Sequence, residues 1–171
     1  MTRDLATVFA GLHDALDERV GQLIETYDAT RRPVREDEAA RLIPSVRGMA
    51  VLPSDPAAGP LLVGWTEHPG LVCAAGTWAG PWHFPSCGCD ACDETLDSAL
   101  EEFDVVVAGV TAGFREWVSA GWRVEIGYAT SATSGWARYS WPQARRRGLP
   151  RGWRRRRWAP WPYRVTGRVG T

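Results

Sequence analysis

Apolar residues recur at three- and four-residue steps near the start of the chain, at Leu5, Phe9, Leu12, Leu16, Val20, Leu23 and Tyr27. That spacing sets them on one face of a helix. Thr2 is its predicted cap and the Arg31-Arg32-Pro33 step its predicted end, because proline disfavours helical geometry in the residue before it. A looser stretch from Glu36 to Ile43 predicts a further helical turn or two before Pro44, and Val46–Leu52 a strand. The runs L-L-V-G-W-T-E and L-V-C-A-A-G-T-W flank H-P-G, whose Pro69-Gly70 fits the centre of a tight turn, so Leu61–Trp78 reads as a β-hairpin with Cys73 on its second strand.

A second stripe, Leu96, Leu100, Phe103, Val107, Val110, Phe114 and Trp117, advances in alternating steps of four and three and predicts one long helix ended by Gly121. Gly109 and Gly113 share a face of that helix and offer room for a close neighbour, such as the first helix. Beyond it, Val124, Ile126 and Tyr128 alternate with Arg123 and Glu125, a strand pattern, and Trp136–Trp141 is its predicted partner. The order α-β-β-(β)-α-β-β predicts an α+β fold, two long helices packed on one face of a small antiparallel sheet. Its expected domain is 1–141, followed by an Arg/Trp/Pro-rich tail over 142–171.

The chain has 171 residues, a length suited to one core. No run of eighteen apolar residues is present, so no transmembrane segment is expected. Asp4, Asp14, Asp17 and Glu18 interrupt the start where a signal peptide needs an apolar stretch, and a cytoplasmic location is therefore expected. Net charge is zero but unevenly spread. Residues 1–137 hold all 20 acids against 9 arginines, and residues 138–171 hold 11 arginines and no acid. There is no lysine, which fits codon bias in a GC-rich genome.

Three of the four cysteines, Cys87, Cys89 and Cys92, fall in F-P-S-C-G-C-D-A-C-D-E. This stretch, with a hairpin before it and a long helix after it, resembles an uncharacterised family of proteins from high-GC Gram-positive bacteria, a domain of unknown function. The resemblance covers Leu61–Trp122, fades near Thr130, and implies no activity.

Three readings of the motif stand side by side. In the first, Cys87, Cys89 and Cys92 bind zinc as thiolates, with His83 or Cys73 as the fourth donor that a closed tetrahedral site needs. In the second, Cys89 and Cys92 form a redox or nucleophilic C-x-x-C pair at a helix start. Against it, seven acids and no base lie between Cys87 and Arg115, and neighbouring carboxylates disfavour a thiolate. In the third, the cysteines are small apolar side chains, Gly88 makes a turn and Asp90 caps the following helix.

His13 and His68 read as structural, and no hydrolase triad, phosphate-binding loop or dinucleotide fingerprint is visible. The arginine-rich tail suits nucleic acid, its arginines on phosphates and Trp153, Trp158 and Trp161 on unpaired bases. An anionic membrane surface would attract the same composition, and an out-of-frame reading of GC-rich DNA would also produce it. Eleven arginines from Arg138 onward, without local acids, predict that 142–171 stays extended or disordered, outside the core. The whole reads as a binding or interaction domain rather than an enzyme, with zinc at the three cysteines. The alternatives are a thiol-redox enzyme and a nucleic-acid-binding tail.

Overall fold

In the computed structural model, which describes residues 7, 9, 11–67, 69–86 and 94–165, the first apolar stripe forms α1, Leu12–Thr26. Leu12, Leu16, Val20 and Leu23 are its buried side, and Gly11 precedes it in the left-handed region. The predicted cap Thr2 lies outside the described residues. The helix stops short of the Arg31-Arg32-Pro33 step, which instead belongs to a strand, β1 (Ala29–Pro33). As an edge strand it tolerates Pro33.

After the single turn α2 (Glu36–Ala39), the chain runs as a meander through β2 (Ser45–Pro53), β3 (Leu61–Thr66), β4 (Leu71–Ala75) and β5 (Ala79–Phe84). The five strands pair in sequence order, all antiparallel. One face of this sheet, with Leu61, Val63, Leu71 and Cys73, packs against α1 and α3 (Leu96–Thr111). The other face, with Leu62, Val72 and Ala74, is covered by Leu42 and Val34.

Thr95, not Asp90, caps α3, its hydroxyl accepting from the Ser98 amide at 3.2 Å. The stripe does not continue as helix to Trp117. Gly113 takes φ +85 and turns the chain into β6 (Arg115–Ala120). A side chain at Gly113 would lie 2.9 Å from the Trp158 carbonyl, so the turn is locked to a segment far along the chain. The neighbour admitted by Gly109 is Thr130, not the first helix. β6, β7 (Val124–Ala129), β8 (Ser134–Tyr139) and β9 (Arg154–Arg157) form a second antiparallel sheet in the order β8-β7-β6-β9. α4 (Trp141–Arg146) lies between β8 and β9, and its Ala144 packs with Val118, Val124 and Ile126 on the inner face of that sheet.

The α+β expectation is thus overturned. The described residues form nine strands in two sheets with four helices, not two long helices on one small sheet. The expected loose tail is overturned as well for residues 142–165. They supply α4 and β9, and Trp158 and Trp161 are 6% and 2% exposed. The desolvation argument holds for the guanidinium groups, since Arg154–Arg157 are all exposed, but the tryptophans beyond them carry the segment into the core. No helix among the described residues is long and apolar enough to cross a membrane.

Candidate functional site

Alternation along a strand gives each sheet face every second residue. In the second sheet the inner set is Glu116, Val118, Val124 and Ile126, and it is covered. The outer set lies in rows fixed by the pairing register. One row runs Trp136, Gly127, Trp117, Arg155 across β8, β7, β6 and β9. The next runs Ser134, Ala129, Arg115, Arg157.

Gly127 is what seats the central tryptophan. A Cβ there would meet the Trp117 ring at 2.2 Å, so the indole lies directly against the backbone of β7. Trp136 beside it is 63% exposed, and Trp153, just before β9, is 51% exposed. Arginines stack on both, with Arg138 Cζ 4.7 Å from the Trp136 ring centre and Arg155 Cζ 4.7 Å from that of Trp153. The acid on this face, Glu125, is bound by Arg138 at 3.0 Å. Among the described residues no carboxylate pairs with Arg115, Arg155 or Arg157.

A groove of about 490 Å³ lies along β6 and β9, lined by Trp117, Trp153, Arg115, Arg155 and Arg157. Arg115, Ala129 and Arg157 also border a second groove of about 630 Å³, so the two are adjacent.

Behind the face, Glu116 anchors β9 to the first sheet. Its buried carboxylate accepts from the amides of Thr77, Trp78 and Ala79 at 2.9, 2.7 and 3.0 Å and from the Trp158 indole at 2.8 Å. Arg41 holds the same turn by its carbonyls, donating to Gly76, Ala75 and Ala79 at 2.7, 2.8 and 3.0 Å. Burial lowers the pKa of Arg41, while the negative charge of Glu116 opposes that shift. A pair of opposite charges thus grips one β-turn from its two sides.

The residues predicted from sequence distribute differently. Cys87, Cys89, Cys92 and His68 lie outside the described residues. His83 is exposed on β5. Cys73 is fully buried, and burial pushes its thiol pKa up, so it is no accessible zinc donor or nucleophile. Among the described residues no three His, Cys, Asp or Glu side chains gather as a metal site. His13, read from sequence as structural, has its Nε2 3.0 Å from the Gly70 carbonyl oxygen. Of the three tryptophans expected to stack on bases, Trp153 alone is open; Trp158 and Trp161 are core residues. Trp117 and Trp136 were missed as site residues. Trp117 coincided with the helical stripe, although the alternation Arg115, Trp117, Ser119 also carries a strand signal.

A family model described as a family of unknown function (DUF6226) matches residues 6–165. The match is wider than the expected Leu61–Trp122 and takes in the arginine-rich stretch, which counts against an out-of-frame origin for it. No curated protein matches the chain, and no solved structure does.

Proposed function

The chain belongs to this family of unknown function, which brings no activity with it, and from the geometry of the second sheet we propose that it binds single-stranded nucleic acid on the outer face of β6–β9. The observation that carries the reading is the crossed set of rows, in which indoles and guanidinium groups share one exposed surface. Single strands are bound without sequence preference by aromatic side chains that stack on bases and by cations that follow the phosphates. Trp117, Trp136 and Trp153 are the stacking groups, and Arg115, Arg155 and Arg157 the phosphate contacts. Duplex is disfavoured, because its bases already stack on one another and leave no faces for the indoles.

The reading needs no extended tail. Arg154 and Arg156 pair opposite Val118 and Glu116 and so point to the other side of the strand, where Arg156 stacks on Trp158 at 3.7 Å. Only every second arginine of the run belongs to the face.

Fluorescence anisotropy with a labelled oligothymidylate tests it. Binding should weaken steeply with salt, as counterion release requires. Trp117→Ala and Trp153→Ala should each weaken it about 5- to 100-fold, the range expected for losing one stacked base. An affinity unchanged in both variants, or equal affinity for duplex of the same length, would overturn the reading.

A further inference from the structure

Arg115 and Arg157 stand directly opposite each other on β6 and β9. Like charges at paired positions destabilise a sheet, and no described carboxylate relieves this pair. An anion between the two guanidinium groups would do so, and planar forks are suited to the oxygens of a phosphate.

The surroundings decide which phosphate. The strand groove is lined by Trp117 and Trp153 and by Arg115 and Arg157, which also border the adjacent groove of about 630 Å³. Beyond these two arginines the described lining of that groove holds no further charged side chain, and its aromatic rings, Phe114 and Trp158, are buried. Leaving β9, the chain crosses to the first sheet, with the Trp158 amide donating to the Phe114 carbonyl and the Ala159 amide to that of Ala57, both at 2.8 Å. Ala57, Gly113 and Pro160 belong to the lining. A polynucleotide following the stacking row therefore meets two arginines without described carboxylate partners and then no further cation or open ring in the described lining, the arrangement expected where a strand ends rather than passes through.

Resting on the nucleic-acid reading above, we infer that the Arg115–Arg157 groove holds a terminal phosphate monoester, so that the protein recognises strand ends. A terminal monoester differs from the internal diesters in carrying a second ionisable oxygen with a pKa of about 6. At neutral pH it presents more charge to the paired arginines than any internal phosphate.

The test compares one oligothymidylate in four forms, namely 5′-phosphorylated, 3′-phosphorylated, unphosphorylated and circularised, each titrated into the full chain. One phosphorylated form should bind about tenfold or more tightly than the unphosphorylated and circular forms, the gain expected for charge-assisted hydrogen bonds. The advantage should shrink below a pH of about 6 as the monoester takes up a proton. Arg157→Ala, which removes a phosphate contact and so weakens every form, should abolish the difference between the phosphorylated and unphosphorylated forms, and Arg157→Lys should restore part of that difference. Circular dichroism confirms that both variants keep the native strand content. Equal affinity for all four forms, or an advantage that survives Arg157→Ala, overturns the end-recognition inference and leaves the binding face intact. If none of the four binds, both readings fall together.

Discussion

Glu116 is a carboxylate enclosed by protein and still fully employed. Three backbone amides and one indole converge on its two oxygens. Such a group stabilises only while every donor has its acceptor, because a buried donor without a partner bears its whole desolvation cost. Glu116→Gln keeps the shape but puts an NH₂ where an oxygen accepted, setting donor against donor. We expect it to lower stability by about 2–4 kcal/mol in chemical denaturation. The same substitution should loosen β9, since the Trp158 indole loses part of its anchor. The sequence carries a faint sign of this role, a lone acid between two outward residues of a strand, but its partners come from a turn 37 to 39 residues earlier and from an indole 42 residues later. Nothing in local spacing announces that meeting.

At the scale of elements, what was legible is what alternates or repeats cleanly. Val124, Ile126 and Tyr128 marked β7, and Leu12, Leu16, Val20 and Leu23 marked α1. β4 was found through its turn rather than its pattern, because Leu71–Ala75 are buried throughout and show no alternation. β1 and β9 were missed for the opposite reason. They are edge strands, and their arginines read as loop or tail. β6 was hidden by coincidence, since Phe114 and Trp117 continue the helical stripe of α3 in number but not in space. With β6 and β9 unread, the proposed face could not be assembled from the sequence, although Trp153, which it includes, was named there. Gly127 gives that face its own test. A side chain there would collide with the Trp117 ring at 2.2 Å, while the opposite face of β7 is untouched. Gly127→Ala should lift the indole off the sheet and weaken oligonucleotide binding about as much as Trp117→Ala does, a loss of about 1–3 kcal/mol. Intrinsic tryptophan fluorescence should report the new exposure.

For the whole molecule, the decisive feature is the return of the chain after β9. Trp158 and Trp161 fill the core among α1, α3 and the first sheet, and the Trp161 indole donates to the Gly59 carbonyl at 2.9 Å. Past them, Tyr163 stacks on Tyr27 with ring centres 5.0 Å apart, and the Arg164 amide donates to the Thr26 carbonyl. The segment once expected to hang free therefore joins both sheets to the first helix. A chain ending at Gly152 should lose cooperative unfolding, or melt many degrees lower, because removing even one buried tryptophan costs about 3–5 kcal/mol. A melting temperature unchanged by that truncation would show that these residues are dispensable to the fold.

The same return has a consequence during synthesis, when a chain emerges from the ribosome in order. Until Arg154–Arg157 have been made, β6 has no neighbour on that side, and its open backbone edge is a template for pairing with another nascent chain. Until Trp158 has followed, the donors gathered by Glu116 lack one of their set. A chain cut short within residues 147–153 would thus hold eight of the nine described strands, yet carry an open β6 edge and an unfilled core.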